Sequence, residues 1–316
     1  MEKMEFVLRG SCVALPTPFR FGRVDFAALE KLCHRQIDCG TAALVPCGTT
    51  GEAPLLTSEE HRAVVAATVA AAAGRVPVIA GAGSNNTQTS VELARSAEAA
   101  GAQALLCVTP YYLKPTQAGL IGHFKAIHDA VQIPLILYDV PSRTACALAD
   151  VTVRRLAELP RIVGLKDATG DVTRVGRLRR RLGDRFVLLS GDDATQAAFR
   201  LAGGDGCISV TANVTPALCW ALHKACDQHQ TKAIAGLERI LAPLHSALFL
   251  EANPIPVKRA LHRLGLMVDG LRLPLTPLSP LADVHLSAVL KAIAPLEEEE
   301  ALRVVSARAV TRPRAA

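Results

Sequence analysis

The sequence predicts a closed (β/α)8 barrel with helices appended at its C-terminal end. Eight short apolar runs recur over the first two thirds of the chain, their starts 20 to 34 residues apart, which is the spacing of strand–helix units. Each run is nearly continuous in hydrophobicity, as parallel strands covered on both faces are. The segments between the runs carry helix start and stop signals at matching offsets. Half of the 316 residues are hydrophobic and few are aromatic, which suits one large domain filled by Ala, Val and Leu.

The strands are expected at 11–15, 42–45, 76–80, 104–108, 133–138, 162–166, 186–190 and 206–210. Asp25 offers a cap for a helix that stops at Gly40. Thr57-Ser58-Glu59-Glu60 is a capping box for an Ala/Val-rich helix that stops at Gly74. A helix from Thr87 stops at Gly101, one capped by Asp171 stops at Gly183, and Asp192 opens a short one closed by Gly203-Gly204. Beyond Thr215 only helical patterns follow, at 216–228, 233–248, 256–264 and 281–294. The expected division is therefore a barrel over 1–214, closing and appended helices over 215–295, and a flexible tail over 296–316. An open doubly wound sheet is the rival fold. It lacks its fingerprint, because Gly81-Ala82-Gly83 has no third glycine and lies on the third strand.

Composition narrows the function. The formal charge of +6 comes mainly from scattered arginines, with no basic run interleaved with aromatics, so nucleic acid is not an expected partner. Nine cysteines without a C-x-x-C pair and nine histidines without H-E-x-x-H give no metal motif. No segment has the length of a membrane span and the charged N-terminus is no signal peptide, so a reduced, soluble, cytoplasmic protein is expected.

In a barrel the chemistry gathers at the C-terminal ends of the strands. The sixth run ends there in Lys166, followed by the polar loop Asp167-Ala168-Thr169-Gly170. Such a lysine either snorkels to solvent or, desolvated, serves as a nucleophile. Gly48-Thr49-Thr50-Gly51-Glu52 after the second strand is an ordinary turn or a carboxylate cradle of hydroxyls and free N–H groups. All three tyrosines of the chain, Tyr111, Tyr112 and Tyr138, fall at strand ends, as do Arg143, Gly191 and Ile208. An amine, a phenol and paired hydroxyls suit imine chemistry on a 2-oxo acid, which needs proton transfer and a carboxylate grip but no metal. Gly203-Gly204-Asp205-Gly206 precedes the last strand and so is poorly placed to bind phosphate.

These motifs, with Tyr138-Asp139-Val140-Pro141-Ser142-Arg143-Thr144, Gly164-Leu165-Lys166-Asp167, Ser190-Gly191-Asp192-Asp193, Ile208-Ser209-Val210 and Pro254-Ile255-Pro256-Val257-Lys258, resemble the pyruvate-dependent class I aldolase and lyase family over roughly residues 10–294. Within it the likeness is to members that condense pyruvate with L-aspartate 4-semialdehyde on the way to lysine. The resemblance implies a Schiff base of pyruvate on Lys166 and no separate cofactor. It implies Tyr138 as general acid/base, linked through Thr49 to Tyr112 in a proton relay. Thr50 would hold the pyruvate carboxylate, the backbone at Ile208 would line the pyruvate pocket, Gly191 would contact substrate, and Arg143 would hold the semialdehyde carboxylate or act as a structural clamp. It also implies a homo-oligomer, a tetramer built from dimers, in which Tyr112 crosses a subunit interface. Lyases for N-acetylneuraminate or sugar acids share the lysine and tyrosine, but neutral polyols give Arg143 no evident use. A metabolite-binding barrel without turnover gives no reason for the whole set. The chain departs from the family pattern at Asp139, Ala145 and Asp167, where Asn, Gly and Glu are common. In lysine-inhibited members the effector pocket carries a histidine and a glutamate where this chain has Ser58 and Thr89, although His61, Asn85 and Tyr111 remain. Weak or absent inhibition by lysine is expected.

Overall fold

Eight parallel strands form one sheet in the computed structural model, which describes residues 4–311. They are β1 (Gly10–Ala14), β2 (Leu44–Val45), β3 (Ile79–Gly81), β4 (Ala104–Val108), β5 (Leu135–Asp139), β6 (Ile162–Asp167), β7 (Val187–Ser190) and β8 (Gly206–Ser209). Their order is β2-β1-β8-β7-β6-β5-β4-β3, and a parallel Leu44–Val78 bridge joins the two edges, closing the barrel. The helices alternate with them: α1 (Phe26–Asp38), α2 (Ser58–Ala72), α3 (Thr87–Ala99), α4 (Gln117–Ala130), α5 (Asp150–Leu156), α6 (Val172–Leu182), α7 (Gln196–Leu201) and α8 (Pro216–Asp227). Appended are α9 (Thr231–Ala247), α10 (Ile255–Arg263) and α11 (Pro280–Thr311). Every expected strand is present, with ends shifted by no more than three residues.

Alternation along the strands builds two cores. Cys12, Ala14, Ile79, Leu106, Ile136, Val163, Leu189 and Ile208 fill the barrel interior. Val13, Leu44, Leu105, Leu137 and Leu165 face outward against Leu29, Val64, Phe124 and Leu178 of the helices. β6 breaks the alternation. Leu135 of β5 pairs with Ile162 and the next residue, Ile136, pairs with Gly164, so Val163 is an extra residue and the strand bulges. Ile162 and Leu165 both face outward, and Lys166 is thereby turned inward beside Tyr138. A Cβ on Gly164 would sit 2.7 Å from the Val187 carbonyl oxygen, so the bulge also requires a bare Cα there.

The expected caps form at Asp25, in the Thr57–Glu60 box and at Asp171. Asp192 does not open a helix. It accepts from the Ala194 N–H and the Thr195 hydroxyl, and α7 begins after Thr195. A hairpin of Phe19–Arg20 with Arg23–Val24 was not foreseen, because its strands are two residues long and its turn, Phe21-Gly22, lacks the usual Asn-Gly.

The flexible tail expected over 296–316 is corrected: α11 continues through Thr311, and residues 312–316 lie outside the described residues. Glu297, Ala301 and Val304 fall at helical spacing on one face. Val304 is buried with Cys39 and Ala217, against Trp220. Glu297 accepts from the backbone N–H groups of Ala217 (2.9 Å) and Leu218 (3.0 Å), satisfying the first turn of α8, where Pro216 has no N–H to offer.

Burial pushes the Glu297 carboxyl up to about 7 from an ordinary 4.5, against the pull of those two N–H donors. Its proton is held more tightly in the folded chain than in the unfolded one. The associated stability is full below the unfolded value and is lost as pH rises through about 7, by roughly 3 kcal/mol. Glu297→Gln should flatten the fall in urea midpoint between about pH 5 and about pH 8. An equal fall in both proteins would refute this assignment.

Candidate functional site

A cavity of about 410 Å³ opens at the C-terminal ends of the strands. Seven of the eight residues singled out from the sequence line it: Thr49, Thr50, Tyr138, Arg143, Lys166, Gly191 and Ile208. Lys166 and Tyr138 are register partners on β6 and β5, both buried, and the ammonium lies 4.2 Å from the centroid of the phenol ring. Gly191 gives the lysine its room, since a Cβ there would stand 3.0 Å from Lys166 Cε and 2.8 Å from the Ala168 Cβ. Cys12 lies close enough to feel the lysine's charge, but burial pushes its thiol up to about 12. It stays protonated and offers no rival nucleophile.

The threonine loop is held from outside the barrel. Glu52, in a left-handed conformation at φ +54°, forms a fully buried ion pair with Lys258 of α10. The same ammonium donates to the Thr17 carbonyl (2.9 Å) and lies over the Phe19 ring. Buried Asn253 donates through Nδ2 to the Thr50 hydroxyl oxygen at 3.0 Å. A hydroxyl that accepts this bond keeps its own proton for another acceptor, and Thr50 lines the cavity.

Arg143 sits on the helical turn Pro141–Thr144, exposed at the cavity wall. Its guanidinium makes no hydrogen bond or ion pair among the described residues. Tyr112 is not brought to the cavity of its own chain. It is 84% exposed, in a left-handed conformation at φ +74° that is costly for an aromatic residue. A second cavity of about 320 Å³ adjoins the first through Thr49, Tyr138 and Arg143 and reaches Tyr111 and Pro274. No cluster of His, Cys, Asp and Glu that could hold a metal occurs among the described residues, and none of their helices is long and apolar enough to cross a membrane.

Sequence reasoning missed the parts played by Asn253 and Lys258. Lys258 stood in a quoted motif, but nothing in the pattern tied it to Glu52, which is 206 residues away. Asn253 gave no signal.

Residues 7–293 match the model of the dihydrodipicolinate synthetase family. A 4-hydroxy-tetrahydrodipicolinate synthase of Parvibaculum lavamentivorans is 53% identical over 88% of this chain and 95% of its own. The structure of dihydrodipicolinate synthase from Aquifex aeolicus superimposes with a TM-score of 0.89 at 43% identity, over 90% of this chain and 98% of that one. The chloride-inhibited enzyme from Acinetobacter baumannii, complexed with pyruvate, gives 0.89 at 47% identity over 91% and 99%.

Removing one partner of a buried ion pair strands the other charge. Lys258→Met should cost about 3–5 kcal/mol in urea unfolding, and adding Glu52→Gln should recover much of it. A loss under about 1 kcal/mol, typical of an exposed pair, would refute the geometry.

Proposed function

Because the chain belongs to the dihydrodipicolinate synthetase family, we propose that it condenses pyruvate with L-aspartate 4-semialdehyde to give 4-hydroxy-tetrahydrodipicolinate, the first committed step of diaminopimelate and lysine biosynthesis. The observation that carries this reading is the buried amine of Lys166 beside the Tyr138 phenol, in a cavity whose wall presents the unpaired Arg143.

The Lys166 amine attacks the ketone carbon of pyruvate and water leaves, giving an imine. The protonated imine draws electrons from the adjacent methyl carbon, which loses a proton to become an enamine. The enamine carbon attacks the aldehyde carbon of the semialdehyde, forming the new C–C bond and an alkoxide that takes up a proton. The semialdehyde's own amine then adds to the imine carbon and expels Lys166, closing the ring. Tyr138, beside Lys166, carries the protons in these steps. Thr50, its hydroxyl proton left available by Asn253, suits the pyruvate carboxylate, with Gly191 and Ile208 as pocket wall. Arg143 suits the second substrate's carboxylate through a bidentate pair, and its lack of a hydrogen-bond or ion-pair partner among the described residues favours this over a structural clamp. The covalent imine is the electron sink, so no separate cofactor is required.

A homo-oligomer, a tetramer built as a dimer of dimers, fits the position of Tyr112. Its phenol can join Thr49 and Tyr138 in a relay only by entering the site of a second copy, and the adjoining cavity offers the space. For lysine as effector, Ser58 and Thr89 are exposed and uncharged, and His61 is buried with Nε2 2.7 Å from the Gly81 carbonyl oxygen. A cationic amino acid finds no carboxylate at these positions.

Incubation with pyruvate and borohydride should leave a stable adduct on Lys166 in peptide mass spectra, and an unmodified Lys166 would overturn the reading. Arg143→Ala should lower turnover with the semialdehyde about 100-fold or more while leaving pyruvate trapping near normal. Equal loss of both would remove Arg143 from its assigned role. In a coupled assay lysine should inhibit weakly or not at all, and inhibition at low-millimolar lysine or below would contradict this.

A further inference from the structure

Behind the wall that carries Tyr138 and Lys166 lies a charged cluster that the reaction scheme does not use. Asp139 and Asp167 directly follow those two residues and are register partners themselves, so two carboxylates face the same side of neighbouring strands. Both are buried. Like charges opposed in a sheet repel, and here the Arg174 guanidinium, on α6, stands between them. Nη1 lies 2.8 Å from Asp139 Oδ2 and 3.2 Å from Asp167 Oδ2, with all three side chains at most 5% exposed. Nε reaches Asp150 Oδ1 at 2.9 Å, and Nη2 donates to the Leu148 carbonyl at 2.5 Å.

The partners of this guanidinium extend its reach. Asp139 Oδ2 also accepts the Leu148 N–H at 3.1 Å, which closes the loop that carries Arg143. Asp167 Oδ1 accepts from the N–H (2.9 Å) and the hydroxyl (2.6 Å) of Thr169, pinning the loop after Lys166. One planar fork therefore meets the ends of β5 and β6 and both loops beyond them. An ammonium cannot span these acceptors, because it is a point charge on a single stem. Buried ion pairs contribute little net stability, so the arrangement fits geometric control better than stabilisation.

We propose that Arg174 is a positioning residue: by bridging Asp139 and Asp167 it sets the spacing of Tyr138 and Lys166 and the placement of the Arg143 loop. This rests on the imine reading above, and a wild-type chain that fails to trap pyruvate would sink that reading rather than this one.

The test is kinetic, counted per active site titrated by borohydride-trapped pyruvate. Arg174→Lys should lower kcat per trapped site about 10- to 100-fold while the pyruvate KM moves less than about threefold, since a misplacement near 1 Å acts on the reacting geometry. Arg174→Met alone strands two buried carboxylates, a strongly destabilising change, so it is combined with Asp139→Asn and Asp167→Asn. That triple variant should melt near the wild type yet keep the kcat loss. Arg177→Met, an exposed arginine of the same helix, should stay within about twofold of wild type. Wild-type kcat per trapped site in Arg174→Lys or in the triple variant would overturn the proposal, because the guanidinium would then only offset buried charge. An equal loss in Arg177→Met would overturn it as well.

Discussion

One extra residue in β6 decides which side of the sheet carries the chemistry. A strand shows alternate residues to alternate faces, so a lysine four positions after an outward Ile162 would itself face outward. The bulge at Val163 spends one residue without advancing the pairing, and Lys166 comes up inside the barrel, level with Tyr138. The bare Cα of Gly164 lets the neighbouring strand pass close to the bulge, and the bare Cα of Gly191 leaves the lysine stem its space. The cavity, its nucleophile and the protection of that nucleophile from the helix layer all follow from this change of phase.

Most of the ions that hold the site do not line it: Arg174, Asp139, Asp167 and Lys258 reach neither cavity, and Glu52 lines only the adjoining one. The barrel interior below the cavity is apolar. The ionic contacts that fix the walls lie in the layer between sheet and helices or beneath the loops: Arg174 with two aspartates, and Lys258 with Glu52. These contacts restrict the loops on which Thr50 and Arg143 ride without themselves entering the main cavity. Such contacts are poor sources of net stability but exacting about geometry.

Much of this was legible from the residues. Continuous apolar runs marked eight strands, and three of the expected caps formed where Asp25, Thr57 and Asp171 stood. Reading strand ends as one surface collected seven of the eight chosen side chains around one cavity. The phase of Lys166 was not legible, because a bulge is a property of pairing and leaves no mark in a single strand. Glu297 fell within the span expected to be a flexible tail. Its spacing with Ala301 and Val304 was available, but the surrounding glutamates obscured the face. Asn253 and Arg174 act through partners distant in sequence, which periodicity does not register. Tyr112 came from the resemblance, and no periodicity in the residues marks what the fold of the single chain shows, that it stands exposed and away from its own cavity.

The ion pair of Glu52 with Lys258 ties the order of synthesis to the appearance of activity. A chain emerging from the ribosome has made all eight strands by Ser209, and with them both Lys166 and Tyr138. At that stage the second loop, strained at Glu52, still lacks its counter-charge, and Thr50 still lacks Asn253. The reactive amine thus exists before the substrate grip does. The segment that follows the barrel supplies both the counter-charge and the amide, so the grip on substrate is complete only when the last quarter of the chain is in place.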